Sequence, residues 1–187
     1  MITLVDIGEK LESYDLCISN IYPYFENNRY YHNLDHILDL LNKAKDKGVL
    51  TERLFLAILF HDIIYSTKKL AIPFNEYRSA KFFKKLFKNK ISKDALNSIY
   101  YAIISTKDHK PISVLSYRLI QLDLYILNDS SLEEFIKYED AIRKEYISYD
   151  DDIYYKHRIP ILESFGVSED KIKYVKSKYE EVQIKGK

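Results

Sequence analysis

The sequence has few of the residues that cross-link a chain or turn it sharply. Its 187 residues include one cysteine, four glycines, four prolines and no tryptophan. The single cysteine, Cys17, excludes an internal disulfide framework and any zinc site built from several thiolates. So few glycines and prolines disfavour a many-stranded sandwich or barrel, because the turns of such folds depend on these residues. The composition therefore favours helices.

The chain also lacks a strong net charge and a long apolar segment. Its formal net charge of +1 gives no general attraction to nucleic acids or anionic membranes. The longest wholly apolar run, residues 54–60, has seven residues, whereas a membrane-spanning helix needs about 20. The N-terminal segment lacks the apolar core of a secretion signal. We therefore expect a cytoplasmic protein without membrane or nucleic-acid partners, and a homodimer is compatible with the sequence.

Apolar residues recur every three or four positions almost throughout the chain, which predicts helices. No short segment alternates as a half-buried strand would. The predicted helices cover approximately residues 4–21, 31–48, 51–61, 75–87, 92–103, 117–127, 131–146, 153–165 and 168–182. Thr51, Asn75 and Ser92 are the expected N-caps of three of them. The sequence thus predicts one all-α domain over residues 1–187, a bundle of about eight to nine helices. The gap at residues 64–74 is long enough to be a functional loop.

Candidate ligands for a metal ion occur at three separate places. His32 and His36 are four residues apart and would project from one face of a helix. His61 and Asp62 directly follow the apolar run. Asp123 lies on the apolar stripe of its predicted helix. Because an unpaired buried carboxylate is costly, Asp123 should be protonated, paired with a base or bound to a metal.

These residue types suit a divalent metal ion. Imidazole and carboxylate donors without a thiolate fit an ion that keeps a position open for water and substrate. The expected ligands are His36, His61, Asp62 and Asp123, and the ion could be manganese, magnesium, iron, cobalt, nickel or zinc. Such an ion polarises a phosphoryl oxygen and acidifies a bound water molecule. His32, one turn from His36, is placed to give a proton to a leaving group.

Each of these features alone also has an ordinary structural explanation. Histidine pairs four residues apart arise by chance, and Asp123 could pair with Arg118 or Arg158. His157 is expected to be a structural or surface residue. The basic face formed by Lys81, Lys84, Lys85 and Lys88 is expected to be solvated. The metal site is preferred because three features on separate helices coincide.

Four further residues are candidates for supporting roles. Glu76 could act near the metal-bound water, orient a ligand histidine, or only satisfy the helix dipole. Arg29 and Arg78 are candidate substrate contacts, and Arg29 could clamp a phosphate. His109 could approach Asp62 and hold a second ion if Asp62 bridged two ions.

The order of these residues resembles a known signature. His36, then His61-Asp62, then Asp123 is similar to the H…HD…D pattern of the HD superfamily of metal-dependent phosphohydrolases. Residues 31–36 (YHNLDH) also resemble a stretch of the cyclic-nucleotide phosphodiesterases, and this implies a general acid at His32 and a metal ligand at His36. The broadest likeness is to a small bacterial-type family of HD phosphohydrolases, over about residues 29 to 165. The sequence segments that resemble this family lie at residues 29–33, 60–65, 75–80, 106–109, 122–124 and 142–146.

The resemblance implies an all-α fold with the metal site between helices, and hydrolysis of a phosphomonoester, phosphodiester or phosphoanhydride. A nucleotide or related small molecule is the expected substrate. The Glu-Asp pair of guanosine-tetraphosphate hydrolases is absent, because Ile63 and Ile64 follow the HD motif. The alternative is a weakly catalytic sensor or scaffold that binds metal and nucleotide. A helical interaction module without a site would leave the four ligand candidates unexplained.

Overall fold

The computed structural model describes residues 1–26 and 29–185. Within these ranges it contains ten α-helices and no β-strand, which confirms the all-α prediction. The helices are α1 (Leu4–Glu12), α2 (Leu34–Asp46), α3 (Glu52–Phe60), α4 (Asn75–Phe87), α5 (Lys93–Ser105), α6 (Val114–Asp123), α7 (Tyr125–Asn128), α8 (Leu132–Glu145), α9 (Asp151–Ser164) and α10 (Glu169–Lys185). Among the described residues, no helix combines the length and the apolar character needed to cross a bilayer.

Several helix starts follow from local side-chain caps. The hydroxyl of Thr51 accepts a hydrogen bond from the backbone N–H of Leu54, and Ser92 caps α5 in the same way. Both predicted caps are therefore confirmed. The predicted cap at Asn75 is wrong, because Asn75 is the first residue of α4. Its side-chain amide instead bonds the backbone N–H and C=O of Ser66, a contact that a tertiary fold must bring about.

Three predicted helices differ from the structure. The first helix ends at Glu12, and Asp15 then adopts a left-handed backbone with φ 53°. The second begins only at Leu34, because the side chain of Asn33 caps it by accepting from the backbone N–H of His36. His32 therefore precedes α2, and the prediction that both histidines project from one helical face is wrong. The predicted helix over residues 117–127 is divided into α6 and α7.

The chain forms two compact units, Met1–Asp123 and Leu124–Lys187. The expectation of one domain over residues 1–187 stays a prediction, because two compact units can belong to one domain or to two. In the first unit, α3 is the central helix and packs against α2, α4, α5 and α6. Every residue from 54 to 60 is buried. A helix that is apolar on all sides must be surrounded, so its C-terminal end lies in the interior of the unit.

The second unit contains α7 to α10, and α10 packs against α8 and α9. A buried ion pair joins α9 to α8: Arg158 Nε donates to both carboxylate oxygens of Glu139, at 3.0 and 3.2 Å. The guanidinium also donates to the hydroxyl of Tyr138 at 2.7 Å. Arg158 is thus engaged by Glu139, which removes it as the alternative partner considered for Asp123.

We expect Arg158→Met to lower the free energy of unfolding by about 3–5 kcal/mol, because it leaves the Glu139 carboxylate buried without its partner. The matched control is Lys137→Met, which removes a cation from the exposed pair Lys137–Glu133 and should change the free energy by at most about 0.5 kcal/mol. Urea denaturation measures both values. Equal losses in the two variants would contradict the prediction.

Candidate metal centre

Three helices bring the ligand candidates together. His36 lies in the first turn of α2, His61 and Asp62 directly follow α3, and Asp123 is the last residue of α6. These three helices all pack against one another. As a result, one ligand atom from each of the four residues lies within 4.8 Å of all the others. We refer to His36, His61, Asp62 and Asp123 as the four-ligand cluster.

The closest approaches within this cluster involve His61. Its Nε2 lies 3.0 Å from Asp62 Oδ2 and 3.5 Å from Asp123 Oδ1. The Nε2 of His36 lies 3.6 Å from the same Asp123 oxygen. His36 and His61 are buried, at 5% and 1% exposure. The donor atoms therefore converge in a region from which water is largely excluded.

The orientation of His61 suits a metal ligand. Its Nδ1 lies 2.8 Å from the carbonyl oxygen of Ile58, and because a carbonyl only accepts, Nδ1 is the donor. Ligand histidines commonly fix their second nitrogen in this way. The buried Nε2 of His61 and both ring nitrogens of His36 make no hydrogen bond of regular geometry among the described residues, although Nε2 of each ring lies within 3.6 Å of a carboxylate oxygen. Buried polar atoms are normally satisfied, so these nitrogens fit a cation between them and the two carboxylates.

The charges of the four-ligand cluster favour a cation between its donor atoms. Burial lowers the pKa of His36, so its neutral form, which can bind a metal, prevails. Burial would also lower the pKa of His61, but the carboxylates of Asp62 and Asp123 outweigh it and raise that pKa well above its usual range. Burial likewise opposes ionisation of both carboxyls, yet the neighbouring histidines lower their pKa values. Both carboxylates are thus ionised.

His32 lies beside the cluster and is not part of it. Its Nε2 is 3.9 Å from Asp62 Oδ2. The ring stacks on Tyr65, with centroids 3.9 Å apart and planes inclined by 20°. Tyr65 falls within one of the motif segments, but sequence analysis gave it no role. The stacking holds the His32 ring in a fixed position near the cluster, as a proton donor requires.

The structure gives Arg29 a positioning role. Its guanidinium donates to the backbone carbonyls of His32, Asp62 and Ile63, at 3.1, 2.8 and 2.9 Å. These bonds join the segment before α2 to the segment after α3. These three bonds use three of the five N–H groups of the guanidinium, so the contact of Arg29 with a phosphate stays a prediction.

Glu76 and His109 approach the cluster from two other elements. Glu76 is half-buried, and its buried Oε2 has no hydrogen-bond partner among the described residues. Burial and the negative charge of Asp62 raise its pKa. His109 follows α5, and its Nε2 lies 3.7 Å from Asp123 Oδ2. His109 therefore approaches the carboxylate of Asp123. The sequence analysis had expected it to approach Asp62.

Arg78 is not placed with these residues. It is exposed and lines a separate cavity with Lys68 and Lys69. Arg78 and Glu76 are two positions apart on α4, so their side chains project from roughly opposite sides of the helix. The contact between Arg78 and a substrate at the metal centre stays a prediction.

Comparison with known proteins gives no neighbour for this chain. No protein-family model, no curated protein and no solved structure matches it. Membership of the HD superfamily therefore stays a prediction from the motifs. The interpretation of the site depends on its own geometry and chemistry.

Proposed function

We propose that the four-ligand cluster binds a divalent metal ion and that the protein is a metal-dependent phosphohydrolase. The observation that carries the proposal is the convergence of buried imidazole nitrogens with two ionised carboxylates. The motif resemblance to the HD superfamily supports the same activity. A nucleotide or related small phosphate ester or anhydride is the proposed substrate.

The donor set narrows the choice of ion. Two imidazole nitrogens and two carboxylate oxygens suit manganese, iron, cobalt, nickel or zinc. Magnesium prefers oxygen ligands and retains several waters, so it fits this cluster less well than the sequence alone suggested. When bound, such an ion supplies a Lewis acid for a phosphoryl oxygen and acidifies a water molecule.

The residues around the cluster have distinct proposed roles. His32 gives a proton to the leaving oxygen, since its ring is held beside Asp62 without belonging to the cluster. Glu76 is proposed to take up a proton from the reacting water, because burial and the charge of Asp62 raise its pKa. Arg29 positions the backbones of His32 and Asp62. A ready proton donor favours an enzyme over the alternative of a sensor or scaffold.

The proposal is tested by metal analysis of the purified protein and by a phosphate-release screen. The screen uses nucleoside mono-, di- and triphosphates, a cyclic nucleotide and nitrophenyl phosphate, each with several divalent ions. We expect about one transition-metal ion per chain and turnover that depends on it. Metal binding without turnover of any substrate would instead favour the sensor or scaffold.

We expect His109→Gln to weaken metal binding by about tenfold or more while leaving the metal content at saturation unchanged. The reason is that Asp123 Oδ1 faces the cluster while Oδ2 faces His109, so His109 can orient this carboxylate. Titration with metal and mass spectrometry give affinity and stoichiometry. A wild-type ratio of two ions that falls to one in the variant would show instead that His109 holds a second ion and that Asp123 bridges.

A further inference from the structure

A cavity lies outside the metal centre, between the loop after α3 and α4. It is wide open to solvent, and its volume of about 720 Å³ is enough for a small molecule. Its lining includes three cationic side chains and two aromatic rings. These residues are Lys68, Lys69, Phe74, Tyr77 and Arg78. We call this the outer cavity.

The charge of the outer cavity has a single sign. Among the residues that the structure describes, no acidic side chain lines it. Lys68, Lys69 and Arg78 are all exposed and form no ion pair with any residue in the described ranges 1–26 and 29–185. Lys81 adds a further cation nearby, with its Nζ 5.1 Å from the centre of the Tyr77 ring. Uncompensated cations around a concavity favour an anionic ligand, and phosphate is the anion that arginine and lysine commonly bind.

Apolar and aromatic surface lies beside these cations. Phe74 is 54% exposed, Tyr77 is 46% exposed, and Leu70 at the loop is 89% exposed. Exposed aromatic rings bind planar ligands, and nucleic-acid bases stack on them without regard to base identity. The cavity therefore combines groups for a phosphate chain with groups for an aromatic base.

The outer cavity is separate from the metal centre, but the loop that lines it directly follows the segment that carries His61 and Asp62. None of the residues that line the outer cavity belongs to the four-ligand cluster, and Arg78 projects from roughly the opposite side of α4 to Glu76. The loop is fixed at its start, where the backbone N–H of Ile64 donates to Ser79 and Ser66 bonds Asn75. Lys68 and Lys69 follow this fixed segment directly in the chain.

We propose that the outer cavity is a second, non-catalytic site for a nucleoside polyphosphate. The phosphates contact Lys68, Lys69 and Arg78, and the base contacts Phe74 and Tyr77. This proposal does not depend on the metal centre, because none of these residues belongs to the four-ligand cluster.

The test measures binding of fluorescent ATP and GTP that carry a methylanthraniloyl group on the ribose. It uses the full chain with the Asp62→Ala change, in EDTA, so that the metal centre does not contribute. We expect saturable binding that unlabelled ATP or GTP competes away. Failure of the metal proposal would leave this result unchanged, so the two proposals fail independently.

Matched variants locate the site. Lys68→Gln/Lys69→Gln and Arg78→Gln should each weaken binding by about tenfold. The control Lys85→Gln/Lys88→Gln removes two exposed cations at the C-terminal end of α4, one in its last turn and one directly after it, and should change affinity by less than about twofold. Phe74→Leu should weaken binding of the nucleotide more than binding of inorganic triphosphate, measured by competition. Equal effects of the control and the lysine pair, or no saturable binding, would overturn the proposal.

Discussion

Replacing Asp62 with alanine should abolish retention of a divalent ion by the purified protein. The Asp62 carboxylate contributes one of the four converging ligand atoms, and its negative charge offsets that of the cation. With three ligands left, only one of them a carboxylate, the affinity should fall below what survives gel filtration. Mass spectrometry of the eluted protein gives the metal content per chain.

The control for this variant is Asp108→Ala. Asp108 is exposed on the segment that follows α5 and lies one residue before His109. It should retain the wild-type metal content, which separates loss of a ligand from loss of negative charge near the site. Circular dichroism checks that both variants remain helical. Full occupancy in the Asp62 variant would remove the assignment of the metal site.

Replacing His32 with asparagine should reduce turnover by about 10²–10⁴-fold while metal content stays near that of the wild type. Asparagine keeps the polarity and approximate size of the side chain but cannot supply the proton. The ligand nitrogen of His36 approaches Asp123 at 3.6 Å within the cluster, whereas His32 lies 3.9 Å from Asp62 and outside it. For this reason we expect turnover to fall and metal binding to be retained.

The leaving group provides the sharper readout for His32. Nitrophenyl esters have a leaving oxygen that needs little protonation, so their hydrolysis should fall much less than that of an alkyl or nucleoside ester. The matched control is His157→Asn, because His157 is exposed on α9 and has no assigned role. Metal loss in the His32 variant would make His32 a ligand. Unchanged turnover on every substrate would make it structural and would favour the sensor or scaffold.

Local interactions explain which parts of the fold follow from the sequence. The apolar period, the caps at Thr51 and Ser92, and the uniformly apolar α3 involve residues within about one or two helical turns of each other. The same locality limits the prediction: Asn75 satisfies cap statistics but bonds Ser66, nine residues earlier. The side chain of Asn33 caps α2, so the helix begins at Leu34 and His32 precedes it.

The residue types of the candidate site also follow from the sequence. Two histidines and two aspartates at apolar or helix-end positions were recognisable because buried polar groups need partners. The sequence by itself thus determined the helical class and the chemistry that the ligands could offer.

Only the tertiary structure decided the geometry. It joined Arg29 to backbone carbonyls 33 and 34 residues away, brought His109 to Asp123, and placed Arg78 in the lining of the outer cavity. These outcomes depend on how helices pack, and packing is set by the shapes of many side chains at once. A periodic pattern records which side of a helix is buried, but it does not record which residues of another helix will meet it.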